Sequence, residues 1–200
     1  MSRLDLDPAA LGADLYPWLT SVVLPRPIAW VSSRSVTGVD NLAPHSFFTI
    51  AGIDPAVVCF TSVGEKDTLR NIKATGEFVV SLCSEDLIEQ VNSTGTDFPS
   101  DQSEFDRAGL TREASLKVAP PRVAQSPVAM ECRLVDTKEF GICTVVFGQV
   151  VHFCVDEDVL RDGRPAVDLL RPVARLGANE WCNVGDVSDR RRIPYRELSA

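Results

Sequence analysis

Short apolar runs separated by turn-forming stretches set the rhythm of the chain. Ile28-Ala29-Trp30-Val31-Ser32-Ser33 reads as a first strand, approached through Pro25-Arg26-Pro27, whose prolines suit the start of a strand and not its interior. A turn at 37–41 leads into a second extended segment, 41–50, and a third apolar run, 56–61, follows Asp54-Pro55. Residues 66–75 place Leu69 and Ile72 on one face, with Asp67 or Thr68 available as the cap and Gly76 as the stop, which predicts a short helix. Glu77 to Cys83 returns to strand, and Ser84, Glu85 and Asp86 open a second short helix carrying Leu87, Ile88 and Val91. Residues 92–106 are polar, and serve either as a lid or substrate wall or as a solvated connection. Pro127–Val135 and Gly141–Val155 are predicted strands, with Gly148 marking a bend or bulge. Many short strands, with helices confined to connections, predict a closed or partly closed barrel over a regular βαβ sheet. No repeat or Pro/Gly-rich linker divides the chain, so one domain over 1–200 is expected.

Composition narrows the function classes. The 200 residues are 44% hydrophobic and 24% charged, the balance of a globular domain. A net charge of -8 and a pI near 4.8 argue against a nucleic-acid partner, because phosphate-backbone binding needs clustered positive charge. An anionic small molecule needs only a local group of amides, hydroxyls and one cation. No run approaches the roughly 20 apolar residues that cross a bilayer, and the amino terminus lacks a secretory pattern, so no membrane partner and a cytoplasmic location are expected. Cys59, Cys83, Cys132, Cys143, Cys154 and Cys182 form no Cys-x-x-Cys pair and mostly occupy apolar runs, which predicts buried free thiols. With His45 and His152 far apart and no Cys/His cluster, no metal site is expected. Dinucleotide, Walker, zincin and nucleophile-elbow signatures are absent.

Two segments carry candidate chemistry. Asn41 to Phe48 combines amide and hydroxyl groups with Phe47 and Phe48, a set that can meet a polar planar ring. Thr61-Ser62-Val63-Gly64-Glu65-Lys66-Asp67-Thr68 brings three hydroxyls, a glycine and a lysine to the start of a helix. Those residues are either ordinary caps with a solvated lysine or a phosphate site built on free helix N–H groups.

The order and spacing of Pro25-Arg26-Pro27-Ile28-Ala29-Trp30-Val31-Ser32-Ser33, Asn41-Leu42-Ala43-Pro44-His45-Ser46-Phe47-Phe48, Lys66-Asp67-Thr68-Leu69-Arg70-Asn71-Ile72 and Glu77-Phe78-Val79-Val80 resemble the flavin reductase-like, FMN-binding split-barrel family, especially its flavoredoxin branch. Glu104 to Thr111, Ser126 to Cys132, Gly148 to His152 and Arg175 to Trp181 agree, so the similarity spans about residues 20–183. The resemblance implies a mainly β, Greek-key split barrel with short connecting helices, forming a homodimer with flavin near the subunit interface. Carried onto this chain, Thr61, Ser62, Lys66 and Thr68 would hold the FMN phosphate, while Ser32, Asn41, Ala43, Ser46 and Phe47 would line the ribityl and isoalloxazine portions. Relatives often read Gly-Gly-x-x-Tyr where this chain has Gly177-Ala178-Asn179-Glu180-Trp181; Trp181 either shields the flavin ring or packs in the core or dimer interface. His45 stands where relatives frequently carry an aromatic residue, and His152 is expected to make a structural hydrogen bond.

The implied activity is reduction of FMN by NADH or NADPH, with hydride arriving at flavin N5 and electrons leaving to free flavin or to a small-molecule or protein acceptor. Such a transfer requires no acidic or nucleophilic side chain, so no catalytic residue is assigned. The alternatives are a non-enzymatic FMN-binding electron carrier and a split barrel adapted to haem or another ligand.

Overall fold

The computed structural model describes residues 2–198. Seven antiparallel strands form the main sheet: β1 (Ala29–Arg34), β2 (Asp40–His45), β3 (Phe48–Ile53), β4 (Ala56–Val63), β5 (Glu77–Ser81), β6 (Val128–Phe140) and β7 (Cys143–Val155). Their order across the sheet is β2-β1-β5-β6-β7-β4-β3. The two edge strands, β2 and β3, are joined by Ser46 and Phe47 alone, so the sheet has to roll until its edges approach. The Phe47 carbonyl accepts from the Thr61 amide at 2.9 Å, and the His45 and Phe60 rings meet at 4.6 Å, fastening that seam. This is the partly closed barrel that the pattern of short strands predicts and the mainly β split barrel that the resemblance implies.

Both faces of β1 are buried, because alternate residues feed two core layers. Ala29 and Val31 join Phe60, Phe78, Val80 and Val146 inside the barrel, while Ile28 and Trp30 join Leu42, Val91 and Phe105 outside it. Helix α2 (Asp67–Thr75) contributes Leu69 and Ile72 to the inner layer. It ends at Gly76, whose φ of 73° is the left-handed conformation that a helix stop favours. Gly148 sits at a register shift between β6 and β7, and a Cβ there would lie 2.2 Å from Phe78 Cζ. The predicted bulge therefore also makes room for a core ring.

The extended reading of 41–50 is interrupted at 46–47, and the strands beginning near 127 and 141 run on to Phe140 and Val155 as one long hairpin. An additional helix, α1 (Leu15–Val22), precedes the barrel. Arg26, buried beside it, donates to the Thr20 and Val23 carbonyls at the helix end and to Leu176 O at 2.6 Å. The short arginine-bearing strand Arg26–Pro27 pairs with Val173–Arg175, which in turn pairs with Trp181–Asn183. All six cysteines are free; Cys83 and Cys132 are buried, whereas the other four are half-buried. Burial pushes the thiols of Cys132, to about 12, and Cys83 upward, which leaves them unreactive.

Candidate functional site: a cavity at the amino end of α2

The seam between β2 and β4 opens into a cavity of about 420 Å³, a size suited to a small organic ligand. Asn41, Ala43 and His45 reach it from one face of β2, as alternate residues of a strand must, while Leu42 points into the core. Ser46 and Phe47 form the rim, and Thr61 and Val63 arrive from β4 at the same two-residue spacing. The opposite wall is the segment Thr94–Phe98, anchored where Trp30 Nε1 donates to Thr94 Oγ1 at 2.8 Å. Tyr16 of α1 closes one side, its ring 6.3 Å from that of Phe47.

The amino end of α2 faces this space. Lys66 is the N-cap residue in extended geometry and makes no side-chain cap hydrogen bond, so neither Asp67 nor Thr68 caps the helix as the sequence pattern predicts. The first intrahelical bond runs from the Arg70 amide to Lys66 O, which leaves the Asp67, Thr68 and Leu69 amides without an intrahelical acceptor. Together they present partial positive charge at the cavity wall. Lys66 Nζ lies 3.3 Å from Asp97 Oδ1, a contact between α2 and the 94–98 wall.

Two buried titratable groups line the same cavity. The His45 imidazole is pulled down to about 4, chiefly by desolvation, with a hydrogen bond to the Thr61 backbone opposing the shift and the charge of Lys66 adding to it. It is therefore neutral at pH 7, and its Nε2 is a buried polar atom without a partner among the described residues. Glu104, at the start of α3 (Glu104–Arg107), is 6% exposed. Desolvation raises its pKa, and hydrogen bonds from the Leu42 amide, the backbone of Glu104 and the Asn41 side chain hold it back. Its Oε2 accepts from Leu42 N at 2.8 Å and from Asn41 Nδ2 at 3.2 Å.

A family model for the flavin reductase like domain matches residues 21–173. The chain belongs to the flavin reductase-like family. A protein of Halalkalibacterium halodurans is 36% identical over 196 residues, covering 92% of this chain and 93% of that one. The flavin reductase-like fold superposes on nitrilotriacetate monooxygenase component B of Bacillus cereus with a TM-score of 0.90 and 31% identity, covering 95% of this chain and 100% of that one. It superposes on the 2-nitrobenzoate 2-nitroreductase of Pseudomonas fluorescens with a TM-score of 0.87 and 31% identity, covering 97% of each chain.

Within this flavin reductase-like barrel, Asn41, Ala43, Ser46, Phe47, Thr61, Lys66 and Thr68 converge on the cavity. Three other residues singled out from the sequence are placed elsewhere. Ser32 is fully buried and donates to Pro121 O. Ser62 alternates away from Thr61 and donates to Gly64 O at 2.9 Å, so β4 can offer only one of the two hydroxyls. Trp181 packs against the outer core layer with the Arg175 guanidinium 4.8 Å above its ring and does not line this cavity. His152 is half-buried and makes no side-chain hydrogen bond among the described residues.

The polar 92–106 excursion is a wall of the site, since Thr94–Phe98 and Glu104 all line it. Glu104 and Tyr16 escaped the sequence reading. A carboxylate at the end of a polar stretch looks solvated, and only its burial beside the Leu42 amide shows otherwise. Among the described residues no group of His, Cys, Asp and Glu could hold a metal ion.

Proposed function

We propose that this protein is an FMN-dependent oxidoreductase that accepts hydride from NADH or NADPH and delivers electrons to free flavin or to another small-molecule or protein acceptor. The observation that carries the reading is the uncapped amino end of α2, with Lys66 beside it, opening into a cavity walled by His45, Phe47, Phe98 and Tyr16. An anion at one end and a planar ring at the other is the chemistry of a flavin mononucleotide.

The residues present fit that group. Thr61, Lys66 and the free amides at the start of α2 would hold the phosphate, and the orphaned Nε2 of His45 is a buried polar atom that a ligand could partner. Ala43, Ser46 and Phe47 would flank the ring, which supplies hydride chemistry at N5 when bound. The protein's own contribution is orientation and exclusion of water from the ring face. Its similarity to a nitrilotriacetate monooxygenase component and to a nitroreductase supports a redox role.

We also propose a homodimer. Ile50 and Ile53 on the edge strand β3, Phe140 and Ile142 at the β6–β7 turn, and Trp18 and Val22 on α1 are exposed, apolar side chains that a second copy would cover. No helix among the described residues is long and apolar enough to cross a membrane.

The test is anaerobic mixing of FMN-loaded protein with NADH and NADPH in parallel. Rapid loss of the oxidised-flavin absorbance with either nucleotide is expected. Reduction by dithionite but by neither nucleotide would leave an electron carrier, and failure of the purified protein to contain or take up FMN would remove the flavin reading altogether.

A further inference from the structure

The three residues Glu104, Asn41 and Thr68 form a chain along one wall of the cavity. Glu104 Oε2 accepts from Asn41 Nδ2, and Asn41 Oδ1 accepts from Thr68 Oγ1 at 3.2 Å. All three are at least nine-tenths buried and line the cavity. Because Oε2 already takes the Leu42 N–H, it meets Asn41 as an acceptor too, and the Asn41 amide turns its nitrogen toward Glu104 and its oxygen toward Thr68. The Thr68 hydroxyl then spends its one proton on Asn41 and offers lone pairs to any further partner.

We propose that Glu104 is the positioning residue of this cavity: by orienting the Asn41 amide it makes Thr68 a hydrogen-bond acceptor, so that this wall selects ligand hydroxyl donors beside the phosphate held at the end of α2. The ligand class is a polyol phosphate, the ribityl phosphate portion of the flavin, and the inference rests on the flavin reading above. Adjacent groups thereby divide the work: N–H donors at the helix end meet the anion, and oxygen acceptors next to them meet the hydroxyl chain. The same carboxylate, through the Leu42 amide, fixes the end of the 92–106 excursion against β2.

The chain can be broken at its first link. Glu104 Oε2 accepts from both the Leu42 amide and Asn41 Nδ2, so the amide oxygen of Glu104→Gln can take both bonds in its place without the charge. Glu104→Leu removes the acceptor, so Asn41 is free to turn over and the Thr68 proton is released into the cavity.

FMN affinity, read by quenching of flavin fluorescence, is expected to fall at least about tenfold in Glu104→Leu and to stay within about threefold of the wild type in Glu104→Gln. Both variants remove a negative charge near a phosphate, which by itself would tighten binding in each, so the contrast separates positioning from bulk electrostatics. Unchanged or tighter binding in Glu104→Leu, or an equal loss in the two variants, would overturn the proposal. Should Glu104→Leu fail to fold, a loss of about tenfold in Glu104→Gln would overturn it alone.

Side-chain amide NMR of the FMN-free protein reads the chain without the cofactor. The Asn41 amide protons should be displaced and slow to exchange in the wild type and in Glu104→Gln, and should move in Glu104→Leu; fast-exchanging protons in the wild type, or an unmoved signal in Glu104→Leu, sinks the inference. Should the wild type bind no FMN, the flavin reading fails while these amide signals still decide the role of Glu104.

Discussion

Lys66 Nζ and Asp97 Oδ1 approach to 3.3 Å, linking the amino end of α2 to the far wall of the cavity. Both side chains are largely exposed, so the pair contributes little to stability, about 1 kcal/mol at most. Its importance lies in competition, because an anion at the helix end and Asp97 seek the same ammonium. Lys66→Ala should weaken FMN binding at least about tenfold by removing a charge-assisted contact. Asp97→Asn should tighten it by about two- to fivefold, on the scale of an exposed ion pair. Fluorescence titration measures both, and the melting temperature should barely move in either.

His45 links stability to pH. The unfolded imidazole takes up a proton near pH 6.5, whereas the buried one resists until about 4. Between those values the unfolded chain binds more protons, so the contribution is complete above pH 6.5 and is lost as the pH falls toward 4, about 3 kcal/mol in all. Glu104, whose pKa is raised, acts in the opposite sense: its contribution is present at low pH and lost as pH rises through its folded value. Urea unfolding of wild type and His45→Phe across this window isolates the histidine, since Glu104 is common to both. The variant should lose less stability on acidification, and identical profiles would contradict the assignment.

Gly148 and Phe78 share one space in the barrel interior. A Cβ at position 148 would sit 2.2 Å from Phe78 Cζ and 2.7 Å from Cε1, contacts that no rotamer adjustment of a methyl relieves. Gly148→Ala should destabilise by about 1–3 kcal/mol. The thermal midpoint should fall by about 2–4 °C for each of those kcal/mol. Adding Phe78→Leu should recover part of the loss, which distinguishes overpacking from an effect on the bulge itself.

Ala178 occupies the left-handed region at φ 47° and is exposed, in the place where relatives often have a second glycine. An alanine there costs about 1–2 kcal/mol of backbone strain, partly offset by the greater freedom a glycine has when unfolded. Ala178→Gly should therefore raise the thermal midpoint by a few degrees. Gly177→Ala should lower it only slightly, because its Cβ would meet Ser21 Oγ at 2.8 Å and that hydroxyl has to turn aside.

Much of the architecture was legible because strands announce themselves locally. Ala29–Arg34, Ala56–Val63 and Glu77–Ser81 fall where the apolar runs predict, and Gly76 stops α2 where a left-handed glycine should. The site was legible in part. Asn41, Ala43, Thr61, Lys66 and Thr68 lie on short segments whose residue types already suggest an anion and a ring. Strand alternation, applied strictly, would also have separated Thr61 from Ser62.

The sequence by itself determined an acidic, mainly β chain, its strand segments, and the lysine-bearing helix start that suits an anion. Each depends on interactions among residues close together in the chain. The tertiary structure alone decided that Glu104 and the Thr94–Phe98 segment would face β2 and α2, and that Trp181 would lie under Arg175 and away from the cavity. Those placements follow from rolling the sheet until β2 meets β4 and from docking the 92–106 excursion against the seam. A pattern of neighbours cannot encode them, because the groups that desolvate Glu104 and fix its hydrogen bonds are about sixty residues away, at Asn41 and Leu42.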